Sequence, residues 1–207
     1  GCCIMSHEFY ETDLSRGFVR GFGFQVVRSP GPVQTATGGF VAHPIQWGED
    51  HRRVFDEQFS RTITVAVMGE DLPELHNRVT LDPDLKDSNG IPAPKINYTV
   101  SENTAKMLEH GVARATEVME AAGAKNVLSS SLRRNAGWHL LGTARMGDDP
   151  ATSVVDRWGR THDVSNLFII DGSIFPTSAC VNPTTTIQAL ALRTADYLKG
   201  EGGQVIK

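Results

Sequence analysis

Asn166-Leu167-Phe168-Ile169-Ile170-Asp171-Gly172-Ser173, with Asn182-Pro183-Thr184-Thr185-Thr186 soon after it, is the stretch that decides the fold class. From Asn166 to Ile170 the run shows no polar alternation, which is how a strand covered on both faces of a parallel sheet reads. Asp171-Gly172-Ser173 closes it as a turn. A helix is predicted from Pro183 to about Lys199, with Ile187, Leu190, Ala191, Thr194, Ala195 and Leu198 on one face and Gly200 as terminator. Strand, loop and helix in that order form half of a doubly wound unit. Such sheets bind ligands beyond the carboxyl ends of their strands, here at Asp171-Gly172 and the loop reaching Asn182.

The helix start has its own chemistry. Proline at a first helical position has no N–H to lose, and Asn182 before it is a good N-cap. The amides of Thr184 and Thr185 then point out along a positive helix end. They favour negative charge: a phosphate, a carboxylate, or a reduced isoalloxazine ring. The same Asn-Pro-Thr pattern also serves as plain capping, and both readings stay open at this point.

A histidine upstream shares this irregular setting. His139 lies in Gly137-Trp138-His139-Leu140-Leu141-Gly142-Thr143, a glycine-flanked segment with no helical or strand stripe that would assign it to a core. Imidazole titrates ordinarily near pH 6.5, which suits proton transfer, and an amide such as that of Asn182 can hold the oxygen that loses the proton. His139 and Asn182 are therefore the candidate catalytic pair. His7, His43, His51, His76 and His162 form no metal pattern with carboxylates or cysteines, so no metal is assigned. The chain has no G-x-S-x-G elbow, no phosphate loop of the G-x-x-x-x-G-K-[ST] type, no C-x-x-C and no complete G-x-G-x-x-G.

Upstream the pattern changes twice. Residues 1 to about 60 are punctuated by glycine and proline, as at Gly21-Phe22-Gly23-Phe24, Ser29-Pro30-Gly31-Pro32, Gly38-Gly39 and Pro44, which suits loops and short strands. Thr62–Met68, Arg78–Leu81 and Lys95–Val100 then read as strands of one antiparallel sheet, with turn signals at Asp82-Pro83 and Asp87-Ser88-Asn89-Gly90. Ser101 caps a helix that ends at Gly123, with His110 read as a surface or interhelical residue. Residues 129 to 163 lack periodicity apart from a short strand and hairpin over Ser153–Arg160. The predicted class is thus mixed α/β (α+β): an antiparallel, substrate-binding part over residues 1–137, and active-site loops with the strand-loop-helix piece over residues 138–207.

Composition excludes other classes. A net charge of −4 over 207 residues provides no basic field, so nucleic acid is not an expected partner. No run reaches the roughly 18 apolar residues of a membrane helix, and the opening Gly1-Cys2-Cys3-Ile4-Met5 is no secretory signal. A soluble protein of the cytoplasm or periplasm is expected. Cys2, Cys3 and Cys180 make neither a zinc spacing nor a disulfide framework.

Four motifs taken together resemble a known family. HLLGTARMG (139–147), SVVDRWGR (153–160), VSNLFIIDGSIFP (164–176) and VNPTTTIQALALRTADYL (181–198) are similar, in order and spacing, to the C-terminal region of the glucose-methanol-choline (GMC) oxidoreductases. These are flavoproteins that oxidise alcohols and sugars. The likeness is dense from Asn77 to Lys199 and includes NRVTLDPDLKDSNGIPAPKINY (77–98). It implies FAD as cofactor, His139 as the base toward the substrate hydroxyl, and Asn182 as the second active-site residue. It also implies that Asp171-Gly172 lies near the FAD pyrophosphate and ribityl chain, and that Pro183, Thr184 and Thr185 face the flavin's pyrimidine edge.

The same resemblance sets what lies outside the chain. The family's glycine fingerprint is absent here, so the N-terminal FAD-binding region would come from the same or a separate chain. The implied substrate is a small alcohol, sugar or polyol, and the implied electron acceptor is oxygen, a quinone or a cytochrome. Two other readings compete: a catalytically silent fragment or binding subunit that needs a separate FAD-domain chain, and an unrelated α/β binding domain.

Overall fold

A computed structural model describes residues 4–38, 44–130 and 137–205; Cys2, Cys3, Gly39 and His43 of the preceding reading lie outside them. The elements in order are β1 (Ile4–Ser6), β2 (Phe22–Val27), α1 (Pro32–Thr37), α2 (His51–Gln58), β3 (Thr64–Gly69), β4 (Arg78–Lys86), β5 (Pro92–Asn97), α3 (Glu102–Ala121) and α4 (Thr184–Val205). They fall into two compact units, one of Gly1–Glu70 with Ala105–Ala136 and one of Asp71–Thr104 with Gly137–Lys207. The chain is mixed α/β, with small antiparallel sheets and a few helices.

The predicted single antiparallel sheet is instead two. In the first unit β3 turns back on β2, which also pairs with β1, with Phe24 opposite Val67 and Met5 opposite Gln25. In the second unit β4 and β5 form a hairpin of their own, with Val79 opposite Ile96. Alternation shows that a segment is a strand; it does not name the neighbour, because any strand with a matching apolar face can supply the ladder. The Asp82-Pro83 signal marks a register shift inside β4 rather than its end. There Asp82 Oδ1 accepts the N–H groups of Asp84 and Leu85 at 3.0 and 2.9 Å, absorbing a proline that could not donate to the ladder. The Asp87–Gly90 turn closes the hairpin as expected, with Gly90 at φ +80°.

Aromatic rings build the core of the first unit. Phe18, Phe22, Phe24, Met107 and Ala115 are buried together, with Phe9 stacked on Phe22 at 4.9 Å. His110 of α3 lies within this cluster, its ring 6.2, 5.5 and 5.9 Å from those of Phe9, Phe18 and Phe22. It is half-buried against these rings, which fits the packed rather than the surface alternative for this position. Loss of hydration depresses its pKa, helped by the cations of Arg114 and Arg16 and opposed by Glu117 and Asp13. The folded state then binds fewer protons than the unfolded chain just below pH 6.5, so stability should fall as pH drops through that value. Denaturation midpoints of wild type should decrease from pH 7.5 to 5.5 more than those of His110→Phe, which fills the cage without titrating. Equal pH dependence in the two would refute this role.

In the second unit a polar network ties the hairpin to the helix start. Thr104 N bonds to Ser101 Oγ at 3.1 Å as an N-cap, while Thr104 Oγ1 donates to Asp71 Oδ1 at 2.6 Å. The Tyr98 hydroxyl donates to the other Asp71 oxygen, and burial together with that carboxylate raises the pKa of the phenol. Asn77 brackets Thr99, accepting its N–H at 2.8 Å and donating to its carbonyl at 3.1 Å.

The rest of this unit is a ladder of short extended segments. Residues 172–174 pair with 142–146, residues 145–147 with 154–155, those with 161–162, and Thr161 with Leu167. Val155, fully buried, is bridged on both sides, to Met146 and to Thr161. The predicted two-faced strand at 166–170 is here reduced to one bridge, Phe168 to Arg160, with Leu167 and Ile170 nearly half exposed. A strand of that composition needs a neighbour on each side, and among the described residues it has one. Helix α4 is pinned to this ladder by Trp158. That indole stacks on Tyr197 at 4.6 Å beneath the Arg193 guanidinium at 4.2 Å, and its carbonyl accepts the Thr194 hydroxyl at 2.9 Å. The helix runs past Gly200 to Val205.

Candidate active site

Three segments named by the sequence converge at one glycine. The loop carrying His139 runs beside the turn that follows Ile170: the N–H groups of Gly142, Ala144 and Met146 donate to the carbonyls of Gly172, Ser173 and Ile174 at 3.4, 2.9 and 2.8 Å. A Cβ on Gly172 would stand 2.6 Å from Leu141 Cδ2 and 3.3 Å from Ile187 Cδ1, so the turn packs closely between the His139 loop and the first turn of α4, and a larger residue there would displace the Leu141 side chain. Leu141 and Ile187 thus act as packing partners of the turn, which periodicity did not reveal.

The Asp171 side chain turns inward on its own backbone. It accepts the hydroxyl of Ser173 and, at 2.8 Å, its N–H; these two bonds hold the carboxyl below its ordinary pKa and shape the single 3-10 turn Gly172–Ile174. Such a role predicts no direct ligand contact for that carboxylate. What the turn presents outward is backbone.

At the helix start the cap is shifted by one residue from the sequence reading. Ile187 N–H bonds to the Pro183 carbonyl at 3.0 Å and α4 begins at Thr184, which places Pro183 at the N-cap and Asn182 outside the helix. Proline suits the cap, since the N–H it lacks lies outside the helical ladder. Asn182 is consequently free of capping duty; it is exposed and its amide has no partner among the described residues. Thr184, Thr185 and Thr186 are exposed at the positive end of a 22-residue helix that carries no acidic residue in its first turn.

His139 is exposed as well, between Trp138 and Leu140, which are 65% and 75% exposed, and its ring has no hydrogen-bond partner among the described residues. The His139 imidazole and the Asn182 amide are thus both exposed and without a hydrogen-bond partner among the described residues. Surface concavities occur elsewhere, one beside α2 lined by Glu49, Arg52 and Asp56, another on the polar face of the hairpin lined by His76, Arg78 and Lys95; neither includes a candidate residue. No group of histidine, cysteine and carboxylate side chains among the described residues could hold a metal ion, and no described helix is long and apolar enough to cross a membrane.

One further histidine, which the sequence singled out only as no metal ligand, is built into the frame. His162 Nε2 lies 3.0 Å from Ser153 Oγ and 3.2 Å from the Gly147 carbonyl. No motif signals it, because its partners are a backbone oxygen and a serine of a different loop.

The fold and this convergence define a mixed α/β chain organised about a strand-end turn and a helix start. The family model described as GMC oxidoreductase matches residues 73–191, more than half of the chain. The chain belongs to the GMC oxidoreductase family. It is 45% identical over all 207 of its residues to the 2-methyl-1,2-propanediol dehydrogenase of Mycolicibacterium austroafricanum, covering 38% of that protein. It is 40% identical over 161 residues to the 6'''-hydroxyparomomycin C oxidase of Streptomyces lividus, which is 76% of this chain and 29% of that one. It is also 41% identical over 148 residues, 69% of this chain and 27% of that one, to the fructose dehydrogenase large subunit of Gluconobacter japonicus. The chain therefore spans well under half the length of these relatives.

Proposed function

We propose that this chain carries the substrate-activating half of an FAD-dependent enzyme that oxidises a CH–OH group of an alcohol, sugar or polyol. The observation that supports it most is the convergence at Gly172, which sets His139, Asn182 and the positive end of α4 on segments bonded or packed to one turn. The residues suit FAD: the turn offers backbone with no Cβ in the way, and the amides of Thr184 and Thr185 face outward where negative charge is favoured. When bound, FAD supplies the hydride acceptor. His139 takes the proton of the substrate hydroxyl, Asn182 donates a hydrogen bond to the same oxygen, and Thr184 and Thr185 stabilise negative charge at the helix end.

The pyrophosphate cradle comes from residues outside these 207, since the sequence has no G-x-G-x-x-G. In this reading residues 1–137 provide the substrate-binding part and 138–207 the active-site loops. The acceptor that reoxidises the flavin is oxygen, a quinone or a cytochrome. The test is to join the chain to an N-terminal FAD-binding region, purify the yellow holoprotein and add alcohols and sugars without oxygen. Bleaching of the flavin band by one class of substrate is the expected result. A flavin that stays oxidised with every CH–OH donor would mean a silent binding subunit.

A further inference from the structure

We infer that His162 is a positioning residue for the His139 loop, an inference that rests on the function proposed above for His139. The hydrogen-bond accounting is closed. The Gly147 carbonyl can only accept, so the Nε2 atom 3.2 Å from it must carry a hydrogen. Ser153 leads independently to the same tautomer: its hydroxyl hydrogen is committed to the Asp149 carbonyl at 2.6 Å, so at 3.0 Å from His162 its oxygen is an acceptor. One Nε2–H therefore bridges the end of the 139–147 segment to Ser153 at the far side of the loop. The backbone of His162 is held in turn, its N–H donating to Val154 O at 3.1 Å. There is no slack at the bridge, because a Cβ on Gly147 would lie 2.9 Å from Ser153 Cβ.

What this bridge holds leads to the site. Gly147 N–H bonds to Val155 O at 2.9 Å and Val154 N–H to Arg145 O at 3.0 Å, fixing residues 145–147 against the segment that carries the buried Val155. From there Met146, Ala144 and Gly142 bond successively to Ile174, Ser173 and Gly172, the turn on which Leu141 and Ile187 close. Release of Gly147 frees one end of the segment whose other end carries His139. Displacement of a catalytic group by about 1 Å can lower rates about 10²-fold. Because Nε2–H is present in both the neutral and the charged ring, the bridge does not depend on the charge of His162.

Two variants test this. His162→Gln places an amide N–H where Nε2–H stood, and His162→Leu fills the space without a donor. In this chain, hydrogen exchange at the amides of Ala144, Met146 and Gly147 should accelerate in H162L and stay slow in H162Q. In the FAD-loaded full-length protein, H162L should reduce flavin about 10- to 100-fold more slowly at unchanged flavin content, with H162Q restoring most of the rate and keeping the wild-type pH profile. Full activity of H162L, or an H162Q as impaired as H162L, would overturn the assignment. Should H162L fail to fold, the wild-type ring still decides: long-range nitrogen–proton NMR correlations above pH 7.5 must show Nε2–H with a bare Nδ1, and the opposite tautomer refutes the bridge. The exchange and tautomer measurements need no flavin, so they judge His162 even if His139→Ala proves active. An inactive His139→Ala beside a fully active H162L would remove this inference alone.

Discussion

Replacing His139 by alanine should slow substrate-driven flavin reduction in the full-length holoprotein by about 10²- to 10⁴-fold, the usual contribution of a general acid–base group. That range corresponds to about 2.7–5.5 kcal/mol of transition-state stabilisation. The loss should fall on the rate and not on cofactor content, because the His139 ring has no partner among the described residues and the loop is held by the amides of Gly142, Ala144 and Met146. Anaerobic stopped-flow reduction, with flavin quantified in the same sample, separates the two. Retention of wild-type rates would remove His139 from the reaction, and a colourless variant would reassign it to holding the cofactor site together.

Gly21→Ala should cost the largest amount of stability of any single methyl group added to the first unit. The new Cβ would lie 1.9 Å from the Tyr10 carbonyl oxygen and 2.5 Å from that of Phe9, both backbone atoms that cannot rotate away. Relief requires moving the segment that accepts Phe22 N–H at the Phe9 carbonyl, a bond of 3.0 Å, and with it Phe9 from its stack on Phe22. A loss of about 3 kcal/mol is expected, at the upper end for overpacking. For a chain of this size it corresponds to a fall in Tm of about 6–12 °C. Thermal denaturation followed by far-UV circular dichroism measures it, and an unchanged midpoint would show that the close approach of Gly21 to Tyr10 is not present in solution.

The long helices and the hairpin turn were the legible part of the fold, whereas α1 and α2 fell in the glycine- and proline-punctuated stretch that read as loops and short strands. Ser101 before Glu102 and the three- and four-residue apolar spacing located α3, and Asn89-Gly90 located the hairpin turn, because caps and positive-φ turns are decided within a few residues. Strand partnership was not legible. Thr64–Gly69 and Arg78–Lys86 alternate alike, yet one completes a three-stranded sheet and the other a separate hairpin. The surroundings of His110 were hidden for the same reason: a helical wheel shows a face but not the rings of Phe9 and Phe18, distant in sequence, that pack against it.

For the candidate site, the motif run named the candidate residues, His139, Asp171, Gly172, Asn182 and the threonines after Pro183, and pointed to the family, with a chemistry of CH–OH donors to propose. Their order along the chain required no coordinates. Only the tertiary structure decided how they are held. It moved the helix cap from Asn182 to Pro183 and so released the amide, turned the Asp171 carboxylate onto Ser173, and made Gly172 the contact point of Leu141 and Ile187. It also brought His162 to Gly147. The reason is physical: local motifs are set by short-range backbone preferences, whereas packing contacts and side-chain bonds between distant loops depend on which surfaces the whole chain buries together.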